Sequence, residues 1–132
     1  AGGFTTVDLL QIDLFTGDGE LYKLGAAPTY VKRSGAVQRL SGSALPAGLS
    51  AGEDPVSDRF PLRLSPGDTV LMVSDGICGT GDDRWLREKL EGFDGASPKD
   101  LARELITQSP QGATDDRTAL VIRLEKRRVF DA

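Results

Sequence analysis

The sequence predicts an α+β fold of antiparallel strands, with the helices grouped late in the chain. Short runs of β-branched and apolar residues in the first half are separated by glycine-containing turns, as in β-hairpins. Two amphipathic segments then follow one another, and a strand-like run comes after them. Hairpin-linked strands with segregated helices favour an α+β fold over an alternating βαβ sheet. The 132 residues have room for one domain.

The first half is predicted to form two hairpins. Apolar residues occupy both alternating positions of the first run, which predicts a strand buried on both faces or one that carries a bulge. Strands are poor in Asp, so Asp8 and Asp13 are expected on an exposed or edge face. The predicted strands are Thr5–Phe15, Glu20–Gly25, Tyr30–Arg33 and Val37–Leu40, with turns at Thr16–Gly19 and Ser34–Gly35.

The second half carries one buried strand and two helices. Pro61 removes a ladder donor, so the run around it is predicted to be an edge strand. Asp82 or Asp83 is expected to cap the first helix, and Ser97 with Pro98 to begin the second. The predicted elements are the edge strand Arg59–Leu64, the buried strand Thr69–Ser74, a helix containing Trp85, Leu86, Leu90 and Phe93, a helix containing Leu101, Ala102, Leu105 and Ile106, and the final strand Thr118–Leu124.

Composition excludes several kinds of chemistry. The chain has no histidine, which excludes His general bases, Ser-His-Asp triads and His-based zinc sites. Its single cysteine excludes an internal disulfide and fits a reducing, cytoplasmic setting. A net charge of −4 argues against nucleic-acid binding, and the apolar runs are too short to span a bilayer, so no membrane contact is expected. Carboxylates, with a metal ion, remain the candidates for catalysis.

Two acidic positions stand at predicted strand ends. Asp75 follows the buried strand and precedes Gly76; its partner is either a metal ion or the next backbone amides of a turn. Asp115 and Asp116 precede the final strand, where adjacent carboxylates repel unless a cation relieves them, although an ordinary polar loop is equally compatible. If the two strands are neighbours, Asp75 and Asp115 converge. Oxygen-only ligation would select Mg²⁺ or Mn²⁺.

Six short motifs follow one another along the chain. They are Phe4–Asp8, Gly25–Pro28, Leu45–Gly48, Pro66–Asp68, Val73–Ile77 and Asp115–Thr118, with Lys32-Arg33 at the end of the strand after the second motif. Together they resemble the metal-dependent Ser/Thr protein phosphatases of type 2C, in their bacterial sporulation-and-stress branch. Within that branch the chain resembles the phosphatase domains of the stage II sporulation protein E family, where a Gly-Ala-Ala-Pro run, a strand ending in Lys-Arg and a Leu-Pro-x-Gly loop occur in this order.

The resemblance implies an α-β-β-α sandwich of antiparallel sheets flanked by helices, with a two-metal Mn²⁺ or Mg²⁺ site between the sheets. It implies hydrolysis of phosphoserine by water that the metal ions activate. Asp75 and Asp115 match the family's metal-binding, catalytic acids, while Asp116 and Gly76 match positions that support the ligands. The implied substrate is a phosphorylated anti-sigma-factor antagonist, whose dephosphorylation activates a sporulation sigma factor, in a longer protein tethered to the membrane at the division septum.

One element of the family pattern has no counterpart here. The family carries an upstream Asp-Gly whose Asp bridges both metals, whereas Asp18-Gly19 is predicted at a hairpin tip. We therefore expect residues 1–125 to form the C-terminal portion of such a domain, with its N-terminal part missing, and residues 126–132 to form a basic tail. The isolated chain is expected to be inactive. Its exposed sheet edges predict a homo-oligomer, a swapped assembly or an attached partner.

An alternative from a different functional class stays open. The same fold without its full ligand set could serve as a non-catalytic interaction or regulatory module, with the loop Ser41–Asp54 and the helices as partner surfaces.

Overall fold

Seven strands and three helices form the structure, a computed structural model that describes residues 3–48, 56–78, 81–109 and 116–127. Strands and helices segregate along the chain as the α+β prediction requires. The strands are β1 (Val7–Ile12), β2 (Asp18–Leu24), β3 (Thr29–Arg33), β4 (Ala36–Leu40), β5 (Asp58–Arg63), β6 (Thr69–Val73) and β7 (Ala119–Arg123), and the helices are α1 (Asp75–Cys78), α2 (Arg84–Glu91) and α3 (Pro98–Gln108).

The strands form two antiparallel sheets. One has the order β1-β2-β5 and the other the order β4-β3-β6-β7. Pro61 lies in β5, which is an edge strand as predicted, and it needs no ladder donor there. The antiparallel, two-sheet architecture predicted from the sequence is confirmed.

Strand β6 of the four-stranded sheet is buried on both faces. Val70 faces the other sheet, where it packs in one cluster with Leu21 of β2 and with Val31 of the neighbouring strand β3. Leu71, its neighbour, faces the opposite way into a cluster formed with the helices. A strand covered on both sides reads as a continuous apolar run, which is why β6 could be recognised in the sequence. The helix-side cluster contains Tyr30, Leu71, Val73, Ile77, Leu86, Leu90, Leu101 and Leu105.

The prediction that β1 is buried on both faces is wrong for the residues that the structure describes. Burial alternates along the strand: Leu10 and Ile12 pack between the sheets, while Leu9 on the outer face is 55% exposed. The helices pack on the other sheet, so they leave this outer face uncovered. Asp8 shares the inner face with Leu10 and is half-buried, so it is not on an exposed face, but it does lie on an edge strand, which was the other expected position.

The helix boundaries agree with the sequence in part. Ser97 caps α3 as predicted, because its Oγ accepts a hydrogen bond from Asp100 N (3.2 Å), and Pro98 is the first helical residue. At α2 the cap position belongs to Asp83, whose carboxylate does not bond the helix backbone. Asp82 Oδ1 instead accepts from the N–H of Arg84, the first helical residue (2.9 Å). Helix α1 was not predicted, since the sequence indicated only a turn at Asp75. Within the described residues, no helix is both long and apolar enough to cross a bilayer.

Candidate active site

The ends of β6 and β7 bring two of the predicted site residues together. These strands pair antiparallel with Val73 opposite Ala119, so the residues after β6 and before β7 leave the sheet at the same edge. Asp75 and Asp116 therefore lie near each other, which is the neighbouring-strand arrangement that the sequence hypothesis required. Asp115 lies outside the described residues.

Both carboxylates line one cavity at this edge. It has a volume of about 480 Å³ and opens between the two sheets. Asp75 is exposed and Gly76 behind it is buried. The polar residues that line this cavity are Thr6, Asp8, Ser74, Asp75, Asp116 and Thr118. A larger cavity, about 770 Å³, lies between α2 and α3, but none of the predicted site residues lines it.

Asp8 is a residue of this cavity that sequence reasoning missed. Both its oxygens lie 3.0 Å from Lys23 Nζ, and Thr29 Oγ1 donates to Oδ2 at 3.4 Å. Lys23, 1% exposed, also donates to the carbonyl oxygen of Ala27 (2.6 Å). A buried lysine needs such partners because desolvation of an unpaired ammonium is costly. The network joins β1 and β2 to β3, across the gap between the sheets.

The sequence did contain a signal for this ion pair. Asp8 alternates in phase with Leu10, and Lys23 alternates in phase with Leu21, so both charges fall on the core face of their strands. Opposite charges at directly paired positions, Asp8 with Lys23, indicate a compensated buried pair. Recognising it requires the hairpin register, which depends on the turn.

A second polar network lies beneath the segment that follows Asp75. The Tyr30 hydroxyl donates to Asp83 Oδ2 at 2.6 Å, and Arg39 Nη1 lies 3.4 Å from the same oxygen. Burial, together with the hydrogen bond to Asp83, raises the pKa of Tyr30 far above its usual value. Burial also raises the pKa of the Cys78 thiol, so Cys78 is a poor candidate for a nucleophile. These contacts anchor the end of α1 and the start of α2 to the four-stranded sheet.

The donor chemistry at this edge fits a hard cation, but the described residues supply only part of a ligand set. Carboxylate and hydroxyl oxygens are ligands that Mg²⁺ and Mn²⁺ accept. Within the ranges that the structure describes, no three acidic or cysteine side chains lie close enough together to hold a metal ion.

The comparison with protein families gives one match over nearly the whole chain. The family described as "Stage II sporulation protein E (SpoIIE)" matches residues 1–125. Stage II sporulation protein E of Bacillus subtilis (strain 168) is 30% identical over 131 residues, covering 92% of this chain. The chain spans only 16% of that relative's length.

Solved structures of phosphatase domains share the fold. The phosphatase domain of SpoIIE from Bacillus subtilis, presoaked with Mn, matches with a TM-score of 0.73 and 30% identity, over 95% of this chain and 58% of that one. The serine/threonine phosphatase PstP/Ppp of Mycobacterium tuberculosis matches with a TM-score of 0.73 and 18% identity, over 93% and 61%. At that identity the second match shows the fold alone.

Proposed function

The chain belongs to the stage II sporulation protein E family, and we propose that it forms part of a metal-dependent Ser/Thr protein phosphatase domain. One observation carries this proposal: Asp75 and Asp116 line a single cavity between the sheets, because β6 and β7 are neighbours. The similarity to the SpoIIE phosphatase domain, at 30% identity, supports it.

We assign Asp75 and Asp115 as the metal-binding, catalytic carboxylates of this portion. Asp75 stands at the end of a rigid, fully paired strand, and Asp115 immediately precedes Asp116 in sequence. Asp116 and Gly76 support the ligands by shaping the cavity wall. Bound Mn²⁺ or Mg²⁺ would acidify water and offset negative charge on a phosphoryl group.

For the substrate we propose a phosphorylated anti-sigma-factor antagonist, whose dephosphorylation activates a sporulation sigma factor. The sporulation family supports this assignment. We place residues 1–125 in the phosphatase domain, on the cytoplasmic side of a longer protein tethered at the division septum, and residues 126–132 in a basic tail.

Asp75→Asn in the longer protein tests the assignment. Replacing a metal-binding carboxylate by an amide weakens transition-state charge stabilisation, so phosphoserine hydrolysis should fall by at least about 10²-fold. Asp100→Asn is the matched control, because it makes the same chemical change at an exposed position in the first turn of α3. Full activity in the Asp75 variant, with an unchanged thermal unfolding midpoint in both, would contradict the assignment.

The 132-residue chain alone should be inactive toward phosphoserine peptides with Mn²⁺, because its described residues do not provide three acidic ligands. Robust hydrolysis by the purified chain would refute this.

The same partial ligand set also favours a second candidate, a non-catalytic module of the same fold. An Asp-Gly strand motif in the residues encoded upstream would favour the enzyme, and its absence the module.

A further inference from the structure

Ser74, the residue between β6 and Asp75, makes three hydrogen bonds to the segment that leads into β7. Its backbone N–H donates to the carbonyl oxygen of Thr118 (3.0 Å). Its side-chain Oγ accepts from Thr118 N (2.9 Å) and donates to the carbonyl oxygen of Asp116 (3.1 Å). One residue thus holds the backbone of both segments that carry the cavity's carboxylates.

The hydroxyl takes the place of a missing sheet acceptor. Ser74 and Thr118 follow the last register pair of β6 and β7, where two antiparallel residues ordinarily exchange two N–H···O=C bonds. Only one of these forms. The Ser74 carbonyl oxygen instead accepts from Ile77 N (3.0 Å) and Cys78 N (3.4 Å), which begins α1.

Ser74 therefore connects the sheet and the helix at the point where Asp75 begins α1. Its carbonyl group leaves the ladder to start the helix, and its Oγ replaces that carbonyl as the acceptor for Thr118 N. The single hydroxyl proton is directed at Asp116 O. Alanine could fulfil the backbone role but would leave Thr118 N–H without this acceptor.

We propose that Ser74 is a positioning residue that sets the separation between the Asp75 segment and the Asp116 segment. The inference rests on the proposed function for its catalytic meaning. The three hydrogen bonds that Ser74 makes to Asp116 and Thr118, here called the clamp, belong to this chain, so they can be tested without catalysis. A threonine keeps the hydroxyl and should keep both side-chain bonds. Alanine should lose the bonds to Thr118 N and to the Asp116 carbonyl oxygen, and should keep only the backbone bond to the Thr118 carbonyl oxygen.

The experiment compares the full 132-residue chain with three variants by NMR, following amide hydrogen exchange and adding Mn²⁺ alone. Ser74→Ala should speed exchange at Thr118 by at least about fivefold, the effect of losing one net hydrogen bond. It should also weaken Mn²⁺ binding, measured by broadening of the Asp75 and Gly76 amides, by about tenfold, as for other residues that orient metal ligands. Ser74→Thr should restore both values to within about twofold.

Ser97→Ala is the matched control. It also removes a serine Oγ that accepts one backbone hydrogen bond, but at the start of α3, away from the cavity. It should change neither Thr118 exchange nor Mn²⁺ broadening. A merely structural role for Ser74 would still speed Thr118 exchange in Ser74→Ala, but it would leave Mn²⁺ broadening unchanged, as in Ser97→Ala.

The outcomes separate the two proposals. Unchanged Thr118 exchange in Ser74→Ala overturns the clamp, and so does Mn²⁺ affinity equal to that of the wild-type chain. If Mn²⁺ does not broaden the Asp75 amide even in the wild-type chain, the cation site of the proposed function fails in this chain. In that case, Thr118 exchange still decides whether the Ser74 hydroxyl holds the segment before β7 in place.

Discussion

At the scale of single residues, Tyr30 orders the surroundings of the cavity through one buried hydroxyl. The side chain is fully buried near the start of β3, and its hydroxyl donates to Asp83, which Arg39 also contacts. This bond joins residues 53 positions apart and ties the start of α2 to the sheet. A hydrogen bond to a charged group contributes more to stability than a neutral one.

We expect Tyr30→Phe to lower the free energy of unfolding by about 1.5–3 kcal/mol at pH 7. Because the pKa of Tyr30 is raised in the folded protein, the free energy of unfolding should decrease at alkaline pH. Below the unfolded-state pKa, about 10, the tyrosine contribution is constant; as the pH rises past it, only the unfolded chain loses the proton, so stability falls. Urea unfolding between pH 7 and 11 should show a smaller alkaline loss in the variant.

Tyr22→Phe provides the comparison at pH 7. Its hydroxyl bonds Glu20 on the outer face of the three-stranded sheet, where solvent screens the interaction. This variant should lose clearly less stability than Tyr30→Phe. Equal losses, or an alkaline slope unchanged by Tyr30→Phe, would show that the buried bond to Asp83 contributes little.

At the scale of elements, the β1–β2 hairpin is fixed to β5 through Gly17. This residue has φ +79°, donates to the Asp13 carbonyl oxygen (2.8 Å) and accepts from Leu64 N (2.8 Å). A Cβ at this position would overlap the carbonyl oxygen of Leu64. Glycine is therefore required both for the left-handed backbone and for the close approach of two chain segments.

Gly17→Ala and Gly35→Ala separate these two requirements. Gly35 has nearly the same backbone, φ +83°, but open space around its Cβ position. Gly35→Ala should cost about 1–2 kcal/mol, the strain of a left-handed alanine. Gly17→Ala should cost at least about 1 kcal/mol more, since Leu64 must also move and lose its hydrogen bond. Chemical denaturation measures both, and equal losses would rule out the proposed steric contact.

At the scale of the whole molecule, the helices cover only one of the two sheets among the described residues. The outer face of the three-stranded sheet presents Val7 (39% exposed) and Leu9, with Phe4 (65% exposed) next to it. Strand β1 is also an edge strand within the described sheet. Exposed apolar faces and open edges favour association with another chain.

We expect the chain to self-associate through this face, and Leu9→Lys to weaken the association by placing a charge on it. Phe15→Lys is the control, because Phe15 is 100% exposed but lies at the tip of the β1–β2 hairpin. Light scattering over a concentration series should show smaller species for Leu9→Lys only. A wild-type chain that remains monomeric at high concentration would contradict the expectation.

Much of the fold was predictable because its signals are local. The apolar run of β6 reflects burial on both faces, and the Ser97-Pro98 pair reflects cap chemistry that needs only four residues. The position of Asp75 and Asp116 at neighbouring strand ends was predictable on the condition that β6 and β7 pair. Helix α1 was not predictable, because a segment of four residues has only a weak intrinsic preference for a helix. The helix depends on the Ser74 carbonyl oxygen, which accepts from Ile77 N and Cys78 N instead of pairing with β7.

The chemistry available to a site follows from composition alone: with no histidine and one cysteine, the side chains that can bind a metal ion are mainly oxygen donors. The alternation that separates inner from outer strand faces follows from the local sequence as well. The pairing of Asp8 with Lys23 beside the cavity, and the hydrogen bond from Ser74 to the Asp116 carbonyl oxygen, arise only in the folded chain. Periodicity and capping depend on neighbouring residues, whereas these contacts require strand pairings between segments distant in the chain.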